Sequence, residues 1–98
     1  MSVNQGFNQR FDVVSGVFTL PEVMTLESVS GVLQQKGALS LVVKSVDFAH
    51  VKQADSSVFA MLLVWSENID GRINVLNLPA DMQSLVSLYN LDSVLALS

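Results

Sequence analysis

The stretch LSLVVKSVDFAHVKQADSSVFAMLLVW, residues 39–65, decides how this chain folds. It reads as a buried strand, a short polar corner and a helix. The strand is the apolar run Leu39, Leu41, Val42, Val43 and Val46, rich in β-branched residues, as expected for a strand covered on at least one face. The corner ends at Asp55-Ser56-Ser57, where the helix opens. For two turns that helix is apolar on nearly every side, which is unusual in so small a protein. A polar corner beside bare hydrophobic surface points to a docking site, not to a reaction centre.

Upstream, Phe11, Val13 and Val14 lead to Ser15-Gly16, and Val17, Phe18 and Leu20 follow, so a strand pair with a bend at Gly16 is expected. Leu20-Pro21 ends the strand character. Thr25 is the expected N-cap of a first helix, with Glu27 in the turn where the helix dipole favours an acid. Leu26, Val29, Val32 and Leu33 fall on one stripe, and Lys36-Gly37 is read as the stop. Gly31 inside this helix costs about 1 kcal/mol relative to alanine.

Downstream, Asp70-Gly71 marks a turn, and Ile73, Val75, Leu76 and Leu78 form a strand stopped by Pro79. A third helix from about Ala80 carries Met82, Leu85, Val86 and Tyr89 on one face, with Asn90 as its cap. Residues 91–97 are left as a short returning strand or an apolar strap. Helices and strands alternate, so the fold class is α/β, a mixed sheet of about four strands with helices packed mainly on one face. Residues 1–10 are read as an N-terminal extension or the start of the first strand, and residues 11–98 as a single domain.

Half of the 98 residues are hydrophobic and only 14% are charged, against about 25% in typical soluble domains. Mean hydropathy is +0.46. The longest nearly uncharged apolar block, Ser56 to Ser66, is too short to span a bilayer, which takes about 20 residues. The first twelve residues are polar and lack the apolar core of a secretory signal, so a cytoplasmic location without direct membrane insertion is expected. Net charge is −4, and no Lys or Arg follows Arg72. That argues against nucleic acid and against electrostatic attachment to anionic lipid. Without cysteine there is no thiolate nucleophile and no zinc knuckle, and His50 is the sole histidine. No catalytic residue, cofactor or metal is assigned.

At the corner, a bland and a functional reading compete. Asp55, Ser56 or Ser57 can cap the helix by accepting from unpaired backbone N–H groups. Alternatively, one hydroxyl points outward, available to a partner or a kinase. Along the helix, Val58, Met61, Leu62, Trp65 and Ile69 gather on one side and should face the sheet. Phe59 and Leu63 fall well away from it. Another helix covers them, or they stay open as an interface beside Ser56.

The run from Val46 to Leu63, VDFAHVKQADSSVFAMLL, resembles the signature of STAS domains, named for sulfate transporters and anti-sigma factor antagonists. That signature places an Asp on the central strand, then a variable corner, then Asp-Ser/Thr-Ser/Thr-Gly at a helix start. Asp47, Asp55, Ser56 and Ser57 match, while Val58 stands in the glycine position. Ser15-Gly16 is similar to the family's early strand end. Leu88-Tyr89-Asn90-Leu91 resembles the tail of one branch, the MlaB-type subunits of phospholipid-transporting ABC complexes. The resemblance implies a STAS-type single domain and a non-catalytic subunit. Such a subunit binds the cytoplasmic ATPase of a Gram-negative lipid-asymmetry transporter and lies peripheral to the inner membrane through that complex. It also implies that Ser56, flanked by Asp55 and Ser57, meets the ATPase, with Phe59 and Leu63 as the adjoining apolar surface. The competing implication is an anti-sigma factor antagonist, phosphorylated on Ser56 by a partner serine kinase.

Overall fold

The computed structural model describes residues 10–97. The expected N-terminal extension, residues 1–10, lies outside them apart from Arg10. The elements in chain order are β1 (Phe11–Asp12), β2 (Val17–Thr19), β3 (Val23–Met24), α1 (Leu26–Leu33), β4 (Ser45–Asp47) and β5 (Gln53–Ala54). There follow α2 (Ser57–Ser66), β6 (Ile73–Leu76), α3 (Ala80–Leu88) and β7 (Leu95–Leu97), with 3-10 turns at Ala38–Ser40 and Leu91–Ser93.

Among the described residues the main sheet has five strands in the order β1-β2-β4-β6-β7, one more than the sequence led us to expect. β1 runs antiparallel to β2 and every other neighbour is parallel, so the sheet is mixed. Each parallel step crosses through one helix and moves in the same direction along the sheet. With the usual right-handed crossover, that arrangement puts the three crossover helices, α1, α2 and α3, on one face.

Burial agrees. Phe18, Val46, Ile73, Val75 and Leu95 are buried, while their strand neighbours Val17, Thr19, Ser45, Asp47, Asn74, Leu76 and Ala96 are half-buried or exposed. Register explains the split, because Phe18, Val46 and Val75 lie side by side and share one face. Trp65 fills the centre above them, its ring 4.9 Å from that of Phe18 and its indole N–H donating to the Ala38 carbonyl at 2.8 Å. A buried indole needs such a partner.

Several boundaries differ from the sequence reading. The central strand starts at Ser45, not Leu39, and Leu39 and Val42 are exposed. Here α2 wins over β propensity: the Asn68 amide donates to the carbonyls of Leu39 and Leu41, and Trp65 holds Ala38. The segment is therefore pinned as a turn to the end of α2 and cannot join the sheet until Ser45. Val13 and Val14 are not strand either. Asp12 Oδ1 accepts from the N–H groups of Val14 and Ser15, making a side-chain-stabilised turn that leaves both valines in solvent. Helix α1 ends at Leu33, ahead of Lys36-Gly37, and Gly37 with φ +83° instead opens the 3-10 turn. Residues 91–97, read as strand or strap, provide β7.

Candidate functional site

The candidate site forms where two helices begin side by side. β3 and β5 pair in parallel, Val23 with Gln53 and Met24 with Ala54. The N–H groups of Lys52 and Gln53 both donate to the Glu22 carbonyl, and Asp55 N–H donates to Met24 O at 3.2 Å. Because each of these strands runs straight into a helix, the ribbon delivers the first turns of α1 and α2 to neighbouring positions.

Asp55 occupies the junction. Its Oδ1 accepts from Ser57 N–H at 2.9 Å and from the Ser57 hydroxyl, and its Oδ2 accepts from Leu26 N–H at 3.1 Å. These bonds, the Ser57 hydroxyl first and its N–H second, hold the Asp55 carboxyl below the ordinary carboxylate range against a weaker opposing cost of desolvation. Thr25 makes no side-chain capping bond to α1, so the expected cap there is replaced by a carboxylate from the other helix start. Ser56 makes no capping bond either and is exposed. The division of labour follows: Asp55 caps, Ser57 is engaged by Asp55, and Ser56 is exposed without a side-chain hydrogen bond among the described residues.

Of the two apolar residues expected beside Ser56, only Leu63 is at the surface, 41% exposed. Phe59 is a correction: it is 3% exposed and belongs to the core. Helix α1 packs against α2, and Phe59 shares one buried cluster with Val29, against which Val32 and Leu33 also pack. Two helices on a short ribbon supply the cover that a single helical wheel cannot foresee. The exposed line of α2 is therefore Ser56, Ala60, Leu63 and Glu67, spaced i, i+4, i+7 and i+11 on one face.

Leu26 was missed as a surface residue. The stripe placed it inward, yet it is 63% exposed at the first position of α1, tied to Asp55. Val23, on β3, is also partly exposed. Nothing in the periodicity marks Leu26, because a helix's first residue precedes the turn that buries the stripe.

Asp47 serves its own corner. Its Oδ1 accepts from Ala49 N–H and from the Asn77 amide, each at 2.9 Å, so it fixes the turn that Asn77, at φ +58°, needs. His50 is exposed in that corner. Among the described residues no group of three or more His, Cys, Asp or Glu is placed to hold a metal ion. Three surface concavities, of about 380, 130 and 480 Å³, are lined by other residues than Asp55, Ser56 and Ser57. No helix among the described residues is long and apolar enough to cross a membrane.

A family model described as "Mlab, STAS domain" matches residues 7–97. No curated protein and no solved structure matches the chain. The family match takes in every strand and helix described above, including the Asp55-Ser56-Ser57 corner. The chain belongs to the STAS-domain family, as a member of the MlaB type.

Proposed function

We propose that this protein is a non-catalytic accessory subunit of an ABC transporter complex that moves phospholipid and maintains outer-membrane lipid asymmetry. In this reading it binds and supports the complex's cytoplasmic ATPase. The observation that carries the proposal is exposed Ser56, which makes no side-chain capping bond, at the head of an exposed line through Ala60 and Leu63. Membership of the MlaB-type branch supports the choice of partner. A chain with 14% charged residues and several large exposed apolar side chains also suits a lasting interface. The protein then sits at the inner membrane through the complex, with no segment of its own inserted.

The test is native co-purification of the tagged full chain, paired with Ser56→Asp. An ABC ATPase is expected with the wild type. The aspartate variant should weaken its binding by about tenfold or more, because it places an unpaired charge beside Asp55 in an apolar contact. Its fold should survive, since Asp55, not Ser56, caps α2. Recovery of a serine kinase with no ATPase would replace this reading with that of an anti-sigma factor antagonist switched at Ser56.

A further inference from the structure

Asp55 caps two helices with one carboxylate. Each oxygen serves a different helix: Oδ1 holds the first turn of α2 through Ser57, and Oδ2 holds the first residue of α1, Leu26. The residues at the two N-cap positions do not cap, since Thr25 and Ser56 make no side-chain capping bonds. The ribbon between them is only two residue pairs long. So short a pairing is marginal as a spacer by itself. Both helix starts carry partial positive charge and unpaired N–H donors, and both converge on this single anion.

We propose that Asp55 is a positioning residue, locking the first turn of α1 against the first turn of α2 so that Leu26 and Ser56 present one continuous surface. It acts through its neighbours and is not itself the group a partner touches. Three donors already point at its oxygens from within the chain, which leaves little acceptor capacity for a visitor. Its sequence position beside Ser56 is then explained by geometry: only a residue directly before the α2 start reaches both helices. The part of the proposal that concerns binding rests on the docking role given to Ser56 above. The coupling of the two helix starts does not.

The experiment has two arms, both on the full chain. In the first, amide hydrogen exchange of Leu26 and Ser57 is followed by NMR in the wild type, Asp55→Asn and Asp55→Ala, with no partner present. Asparagine keeps one acceptor oxygen and loses the other, so it can hold one helix start but not both. One of the two amides should exchange about tenfold faster in Asp55→Asn, and both should in Asp55→Ala. Wild-type exchange at both amides in Asp55→Asn would overturn the clamp. In the second arm, ATPase affinity is measured for Asp55→Asn, Ser56→Ala and the double variant. If Asp55 acts by placing Leu26 and Ser56, its loss costs less once the serine hydroxyl is gone than it does in the wild type. Fully additive losses would make Asp55 an independent contact and overturn the positioning role. Should the wild type bind no ATPase, the functional reading fails, and the exchange arm still decides the clamp.

Discussion

Phe59 and Leu63 lie one turn apart on α2, and the structure assigns them opposite roles. Phe59 is buried in the core, whereas Leu63 stays 41% exposed on the line that starts at Ser56. Phe59→Ser should therefore cost about 3–5 kcal/mol, as loss of a buried aromatic ring does. In a domain of this size each kcal/mol lowers the melting temperature by about 4–8 °C, so thermal unfolding reads the change directly. Leu63→Ser should stay within about 0.5 kcal/mol of the wild type in stability. Its loss should be read in ATPase affinity instead, by titration calorimetry. A stable Phe59→Ser variant with impaired binding would return Phe59 to the interface and contradict the packing. At this scale the sequence was legible where chemistry is local. Of the inward set, Val58, Met61, Leu62 and Trp65 are fully buried as the 3.6-residue period requires, while Ile69, beyond the end of α2, is only half-buried. It was illegible where a neighbour decides: periodicity cannot say that α1 would cover Phe59 or that Leu26 would escape cover.

Among the elements, α1 is the one whose sequence is least suited to its conformation. It spans eight residues, has no cap from its own preceding residue, and carries Gly31 in its middle. A Cβ added at Gly31 meets nothing within 4 Å, so Gly31→Ala should stabilise the protein by about 0.5–1 kcal/mol. Gly16 is the opposite case. Its φ of +75° lies in the left-handed region, and a Cβ there would come within 3.0 Å of the Lys44 side chain. Gly16→Ala should cost about 1–2 kcal/mol from backbone strain alone. Urea unfolding of the two variants checks both signs, and a destabilised Gly31→Ala would mean that α1 needs the glycine for something other than its fold. The Ser15-Gly16 bend, the Pro79 stop and the Asn90 turn, where φ is +57°, were all legible because each depends on one residue's backbone preference. The strand at Leu39–Val43 was not. β-branched composition describes what a segment tolerates, and here the Asn68 side chain, just past α2, bonds the backbone into a turn before the sheet can.

For the molecule as a whole, two aspartates contribute to how the fold responds to acid. The Asp12 carboxyl lies below the ordinary value of 3.8 through the N–H groups of Val14 and Ser15, and that of Asp55 through Ser57 and Leu26. One closes the β1–β2 turn at a sheet edge, and the other joins the helix starts on the covered face. A carboxyl whose native pKa is depressed binds its proton less readily folded than unfolded. Its contribution is therefore fully present above the unfolded value and is lost as pH falls through 3.8 towards the native one. Unfolding free energy measured in urea should be flat with respect to these groups from neutral pH down to about pH 5, then decline below it. Asp55→Asn should be less stable at neutral pH and should show a shallower acid decline, because one of the two linked protons is gone. Ser57→Ala gives the finer check, since the Ser57 hydroxyl is the largest cause of the Asp55 shift: the Asp55 carboxyl should titrate closer to its ordinary value in that variant, read by carboxyl NMR. An unchanged acid limb in Asp55→Asn would mean that the carboxylate adds no linkage energy. The two helix starts would then be held by the ribbon and the core alone, leaving the Ser56 surface independent of the residue before it.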